Sequence, residues 1–257
     1  MNRICDAFRD KKAFIAYLMA GDPSLEKTGE YILAMQEAGA DLIEIGIPFS
    51  DPIAEGKVIQ RANLRALAEH TTADRLFEML EGINGKVSVP LVFLTYLNPV
   101  IHYGSDRFFR RCRDCGVSGI IIPDMPFEEQ AELLDCSEKY GVEIVTLVAP
   151  TSDERIERIA KAARGFIYLV SSMGVTGVRS KITTDIPSLV ATVKRVSDIP
   201  VAVGFGIATP EQAKEYSRVA DGVIVGSAIV KIIEEHGGEA AKALDAYVRE
   251  MKAAVSN

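Results

Sequence analysis

No apolar run in this sequence approaches the roughly 20 residues that a membrane-spanning helix requires. The N-terminal stretch Met1-Asn2-Arg3-Ile4-Cys5-Asp6 lacks the apolar core of a secretory signal. Both absences point to a cytoplasmic protein. Positive charge is also in deficit: 29 Lys and Arg stand against 36 Asp and Glu, for a net charge of −7, with no basic run anywhere. Nucleic acids and anionic membranes are held by positive patches, so neither is an expected partner. Cysteine is sparse, with Cys5, Cys112, Cys115 and Cys136 alone. Cys112 and Cys115 have the C-x-x-C spacing but fall in a helical stretch without a second pair. The histidines, His70, His102 and His236, lie too far apart in sequence to complete a zinc set. The plainer reading is reduced thiols in a reducing compartment. No Pro/Gly/Ser-rich linker and no low-complexity tract divides the chain, so residues 1–257 read as one domain.

What is present is ordinary globular chemistry, 48% apolar and 25% charged, well away from the composition of a disordered chain. Short β-branched or aromatic runs alternate with amphipathic stretches. The strand candidates are 14–19, 42–46, 91–96, 119–122, 143–148, 166–170, 201–204 and 222–225. Helix-like segments follow them, for example 25–38, 128–140 and 153–163. Asp22-Pro23-Ser24, Thr151-Ser152-Asp153 and Thr209-Pro210-Glu211 offer capping oxygens or a first-turn proline, while Gly39, Gly116, Gly141 and Gly165 stand where helices should stop. Strand–helix alternation without hairpin signals means parallel pairing. Eight such units in 257 residues fit one (β/α)8 barrel, typically about 250 residues long. The predicted fold is therefore α/β, a single (β/α)8 TIM barrel with an additional N-terminal helix over 2–11. An open doubly wound sheet is the alternative.

In a barrel of this kind chemistry gathers at the C-terminal ends of the strands. Glu44 lies inside the apolar run Leu42-Ile43-Glu44-Ile45-Gly46, two residues from its end. Strands covered on both faces bury their side chains, and burial raises a carboxyl pKa toward neutrality, where it can deliver and accept protons. A structural Glu paired with a buried Lys or Arg is the plainer role, but no cationic side chain lies in the neighbouring strand cores. Eleven residues on, Glu55 follows a loop stiffened by Pro48 and Pro52. Taken alone it reads as an exposed loop acid. Taken with Glu44 it makes a pair of carboxyls in different environments, which can hold different protonation states at one pH.

A second constellation closes the chain: Gly174-Val175-Thr176-Gly177 after the sixth strand, Gly204-Phe205-Gly206-Ile207 after the seventh, and Gly226-Ser227 opening the last helix. Glycines let backbone N–H groups approach an anion, and a helix N-terminus is electropositive. Main-chain amides would thus let an acidic protein hold a phosphate.

Glu44-Ile45-Gly46-Ile47-Pro48-Phe49-Ser50-Asp51-Pro52 resembles the signature of the tryptophan synthase α-subunit family, as do the glycine segments and Gly226-Ser227-Ala228-Ile229-Val230. Ala20-Gly21-Asp22-Pro23, Tyr96-Leu97-Asn98 and Pro123-Asp124-Met125-Pro126 extend the resemblance over essentially the whole chain. The resemblance implies cleavage of indole-3-glycerol phosphate to indole and glyceraldehyde 3-phosphate. It makes Glu44 the catalytic proton shuttle and Glu55 the acid that stabilises positive charge at the indole N–H. It assigns the amides of Gly177, Gly206, Gly226 and Ser227 to the phosphate, and Leu94, Tyr96, Ile121, Tyr168 and Phe205 to the indole pocket. Thr176 would lie on a lid, and Asp51, Asn98 and Pro126 would meet a β subunit in an αββα assembly. No cofactor is implied for this chain, since the family's pyridoxal phosphate belongs to the β subunit. There is one departure: Glu55 stands where the family has Asp, and Gly56-Lys57 where many members have Gly-Pro. The departure keeps open an α-like subunit that mainly binds and activates the β subunit. A stand-alone lyase, or another phosphate-binding barrel enzyme, is also compatible with the glycine loops.

Overall fold

The structure is a computed structural model that describes residues 3–170, 185–204 and 206–256. Its strands are short apolar runs buried on both faces. All seven residues of β1 (Ala13–Met19) and all five of β2 (Leu42–Gly46) are buried. They continue with β3 (Leu91–Leu94), β4 (Val117–Ile121), β5 (Glu143–Ile144), β6 (Thr146–Val148), β7 (Ile167–Val170), β8 (Val201–Gly204) and β9 (Gly222–Val225). The pairing is parallel throughout, in the order β5-β4-β3-β2-β1-β9-β8-β7-β6.

The two end segments, β5 and β6, are separated by Val145 alone, whose N–H donates to Ile120 O at 2.9 Å. They are one strand divided in two, so the sheet closes on itself as a barrel. The run 143–148 is continuous in sequence, yet its first half pairs only with β4 and its second only with β7. Tilted strands are staggered along a barrel axis, and a short one meets one neighbour at each end. Open doubly wound topology is thereby ruled out.

Period-two alternation sorts each strand. Ile15, Leu42, Val92, Ile121, Val145, Tyr168, Ala202 and Ile224 form one inner cluster. Phe14, Ile43, Phe93, Ile120, Ile167, Val203 and Val223 belong to the outer layer, packed under the helices. Those helices include α2 (Leu25–Glu37), α3 (Lys57–Ala68), α6 (Ser105–Asp114), α11 (Ser227–His236) and α12 (Ala241–Ser256). Ser24 caps α2 by accepting from Lys27 N, and Thr209 with Gln212 forms a complete capping box on the helix Pro210–Ser217. The glycines expected to end helices do so with positive φ: Gly39 (105°), Gly116 (75°), Gly141 (67°) and Gly165 (68°). None of the described helices is long and apolar enough to cross a membrane.

Two boundaries differ from the sequence reading. The third strand ends at Leu94, and Tyr96 is instead the N-cap of the helix Leu97–Tyr103. Asp124 accepts the Leu97 N–H at 2.9 Å and draws the chain out of the sheet. The N-terminal helix is a single turn, Arg3–Asp6, and not the longer helix expected over 2–11. Its Ile4 plugs the N-terminal end of the barrel against Gly119 and Gly165, with Phe8 against Phe166 at 5.5 Å between ring centroids.

Asp41 ties three parts of the chain together at that end. Its carboxylate, 7% exposed, accepts the Phe14 N–H at 2.8 Å and pairs with Lys11 at 2.7 Å and Lys252 at 2.6 Å. Lys252 also donates to Lys12 O, fastening α12 to the start of β1. Truncation in Asp41→Ala strands the buried Phe14 N–H and takes from Lys252 its carboxylate partner, a loss of about 2–3 kcal/mol. For a chain of this size that lowers Tm by roughly 4–12 °C. A thermal melt within 1 °C or so of the parent's, given the scale per kcal/mol, would remove Asp41 from the account of stability.

Candidate active site

The inward residues near the C-terminal ends of the strands surround a cavity that opens to solvent. Its walls hold Tyr17 from β1, Glu44 from β2, Leu94 from β3, Tyr168 from β7 and Ile224 from β9, with Leu147 from β6. Tyr17 and Glu44 are register partners on adjacent strands. Two glycines make space for the aromatic rings. A Cβ at Gly46 would lie 2.9 Å from Tyr17 Cζ, and one at Gly204 would lie 2.7 Å from Tyr168 Cζ.

Glu44 is 1% exposed, and its Oε2 has no hydrogen-bond partner among the described residues. Among those residues it forms no ion pair, so the role of a structural half of a salt bridge falls away. Burial alone pushes its pKa up to about 8. A carboxyl so placed is an acid near neutral pH.

Glu55 corrects the reading it invites in isolation. Its neighbour Ile53 is 70% exposed, yet Glu55 itself is only 5% exposed. Groups distant in sequence hold it. Asn63 Nδ2, on α3, donates to Glu55 Oε2 at 2.8 Å, while Asn63 Oδ1 accepts the Phe49 N–H at 3.0 Å. The Tyr96 hydroxyl hydrogen-bonds the same carboxyl and accepts the Ala54 N–H at 3.0 Å. Gln60 Nε2 donates to the Glu55 carbonyl at 2.8 Å. Burial raises the Glu55 pKa to about 7, moderated by the hydrogen bonds from Tyr96 and Asn63. Helix α3 is in turn clamped to α11, since Arg65 pairs with Glu234 at 2.9 Å and with Asp22 at 2.8 Å.

The same cavity is lined by Gly206, Ile207, Gly226 and Ser227. Gly206 has φ of 93°, a conformation that favours glycine. Gly226 is the N-cap of α11 and makes no side-chain cap bond. The first-turn amides of that helix have no intrahelical acceptor and carry the positive end of its dipole.

Of the residues expected at the site, Glu44, Glu55, Leu94, Tyr168, Gly206, Gly226 and Ser227 line the cavity together. Tyr96 stands behind Glu55, and Ile121 lies in the inner cluster with Leu94 and Tyr168 packed around it. Gly177, Thr176 and Phe205 fall outside the described residues. Asp51, Asn98 and Pro126 are exposed, as are the nearby Ile53 and Ile101. Sequence reasoning passed over Tyr17, Ala54, Ile59, Pro123, Leu147, Ile207 and Ile224. Period-two alternation sets which face of its strand a residue takes but cannot assign depth in the barrel. A polar group on an apolar strand was the available signal for Tyr17. Cys112 and Cys115 are buried free thiols, and burial pushes the Cys115 pKa up to about 11, the state of inert core thiols.

The profile of a family described as tryptophan synthase alpha chain matches residues 6–256. The chain is 50% identical over 256 residues to a tryptophan synthase alpha chain of Lactiplantibacillus plantarum, covering 99% of this chain and 97% of that one. It is 46% identical over 255 residues to the alpha chain of Lacticaseibacillus casei, covering 99% and 96%. Among solved structures, a Mycobacterium tuberculosis tryptophan synthase chain superposes with a TM-score of 0.91 at 37% identity, covering 100% of this chain and 99% of that one. A Legionella pneumophila tryptophan synthase alpha chain gives 0.90 at 35% identity, covering 100% and 98%.

The two buried acids make stability depend on pH with a definite sign. Their folded pKa values, about 8 for Glu44 and about 7 for Glu55, lie above the ordinary 4.5. The folded state therefore keeps protons that the unfolded chain releases, and stability falls as pH rises through that window. The slope approaches about 1.4 kcal/mol per pH unit for each group. Glu44→Gln removes one of them, so between pH 5.5 and pH 8, inside the window set by those values, the parent's Tm should fall more steeply than the variant's. Parallel Tm–pH curves would show that Glu44 does not hold its proton in the folded state.

Proposed function

The chain belongs to the tryptophan synthase alpha chain family, a lyase of tryptophan synthesis, and on that premise we propose that its cavity splits indole-3-glycerol phosphate into indole and glyceraldehyde 3-phosphate. The observation that carries this reading is the pair of buried acids, Glu44 and Glu55, lining one largely apolar cavity together with Gly226 and Ser227 at the start of α11. The apolar walls suit an indole ring, the amides suit a phosphate, and the acids suit the bond between them.

The reaction is a retro-aldol cleavage. Indole is a poor leaving group until ring carbon C3 carries a proton. Glu44, protonated near neutral pH, delivers that proton and leaves an indoleninium cation. The Glu55 carboxylate accepts the hydrogen bond of the ring N–H and stabilises the positive charge. Glu44, now a carboxylate, takes the proton from the hydroxyl on the carbon next to C3. The C–C bond breaks, its electrons neutralise the cation, and the hydroxyl oxygen becomes the aldehyde carbonyl. Glu44 ends protonated as it began. Gly206, Gly226 and Ser227 would hold the phosphate through backbone N–H groups, which reconciles an anionic substrate with a net charge of −7.

These proton transfers use side chains of this chain alone. Pyridoxal phosphate is assigned to the partner β subunit. That subunit would dock on the face carrying Asp51, Asn98 and Pro126, where Ile53 and Ile101 are exposed, in an αββα assembly. Free thiols at all four cysteines suit the reducing cytoplasm. Glu55 would do the work of the family's Asp from a loop whose end, Gly56 followed by Lys57 opening α3, gives a longer side chain room. Its bonds to Asn63 and Tyr96 support that reading, because a held carboxylate is a placed one.

Indole release from indole-3-glycerol phosphate tests the function directly. Glu44→Gln keeps shape and removes proton transfer, so turnover should fall by about 10²- to 10⁴-fold with circular dichroism unchanged. Glu55→Asp should lower cleavage and Glu55→Ala should lower it much further. A folded Glu44→Gln variant with near-parental turnover would overturn the mechanism, and a Glu55→Asp variant faster than the parent would show that Glu55 is poorly placed.

Association is tested separately, by co-purification with the cognate β subunit and by indole release with that subunit added. Binding should be seen at micromolar concentrations or below, within the range of specific interfaces of roughly 10⁻⁶ M and tighter, and cleavage should accelerate. Two chains that elute apart and do not alter each other's rates would remove the β subunit as partner.

A further inference from the structure

Tyr17 is a buried cavity group with a polar atom that the cleavage scheme leaves without a task. It is 5% exposed, and its hydroxyl has no hydrogen-bond partner among the described residues. A buried hydroxyl left unsatisfied is a standing cost, which a phenylalanine of the same shape would avoid. The Tyr96 hydroxyl, by contrast, is fully engaged by Ala54 and Glu55. Tyr17 also faces two carboxyls. Burial and then the charges of Glu55 and Glu44 hold its phenol pKa well above the ordinary value, so the group remains a proton-bearing donor.

Its placement says what it would donate to. One face of the ring lies on Gly226, where a Cβ would stand 3.3 Å from Tyr17 Cδ1. The far end reaches Gly46, filling the space a side chain there would take, two register pairs beyond Glu44. Tyr17 thus spans from the phosphate end of the cavity to the level of the acids. A ligand with its phosphate at Gly226 and its ring between Glu44 and Glu55 must lay the three carbons joining them along Tyr17.

We propose that the Tyr17 hydroxyl is a hydrogen-bond donor to the hydroxyl oxygens of that three-carbon chain, and that it selects a glycerol phosphate arm against an unhydroxylated one. The inference rests on the indole-3-glycerol phosphate reading of the cavity. When the hydroxyl next to the ring loses its proton and becomes a carbonyl, a neutral donor on the same oxygen also steadies the charge passing through it. Selection follows because a buried donor facing a ligand without an acceptor stays unsatisfied.

The test is Tyr17→Phe, read in three ways. With indole-3-glycerol phosphate, kcat/KM should fall roughly 10- to 100-fold, the scale of one buried hydrogen bond to a reacting group. Binding of indole-3-propanol phosphate, which has the same ring and phosphate but no side-chain hydroxyls, should change less than about twofold, since it offers nothing for the phenol to reach. The Tm should hold or rise, because an unsatisfied buried hydroxyl has gone. Equal weakening of both ligands would make Tyr17 a packing residue and overturn the proposal. So would an unchanged kcat/KM, or a Tm several degrees lower. Failure of the parent enzyme to cleave indole-3-glycerol phosphate would instead sink the function on which the inference stands.

Discussion

Closure of the barrel through the divided strand at Val145 forces alternate residues of every strand into one confined volume, and the site follows from that confinement. Inside a ring of parallel strands there is room for large side chains at some positions only if others have none. Gly46 and Gly204 yield their space to Tyr17 and Tyr168. The same confinement keeps water from Glu44, whose raised pKa has burial as its sole cause. Packing and acid–base chemistry are here one constraint.

The cavity joins two kinds of electrostatics that ordinarily conflict. At the strand ends, acids sit in a medium that disfavours their charge. In the same cavity, the start of α11 and Gly206 offer backbone N–H groups whose partial positive charge needs no counterion. A lysine or arginine at the phosphate end would hold an anion more strongly, but in a small dry space it would also stabilise ionised Glu44 and lower its pKa. Dipoles fall off faster with distance than a full charge, so amides can attract a phosphate while leaving Glu44 protonated.

Glu55 shows how a loop position acquires the precision of a strand. Asn63 reaches it from α3, Tyr96 from the helix start after β3, and α3 is itself pinned to α11 through Arg65 and Glu234. The loop acid and the proposed phosphate cradle are consequently fixed to each other through two helices. This linkage bears on the longer side chain at this position, because its head group is located by partners and not by loop length alone.

Composition and periodicity determined that this chain forms a parallel α/β fold of eight strand–helix units, because apolar runs buried on both faces must be covered on both; closure into a barrel was decided by the pairing of the divided strand at Val145. They also determined that Glu44 lies in an apolar strand with no cationic side chain in the neighbouring strand cores, since both follow from the residues of those runs. Loop glycines and helix starts were legible for the same local reason, as the positive φ values at Gly39, Gly116, Gly141 and Gly165 show. Strand ends were less so: Tyr96 leaves the sheet because Asp124, 28 positions on, takes the next N–H. Only the tertiary structure decided that Glu55 is buried, that Ile121 lies in the inner cluster, and that Tyr17 runs from Gly226 to Gly46 with its hydroxyl unmatched among the described residues. Local sequence sets which face of a strand a side chain takes, but depth in a closed barrel depends on stagger between strands, and the burial of a loop acid depends on partners that only folding brings within hydrogen-bonding distance.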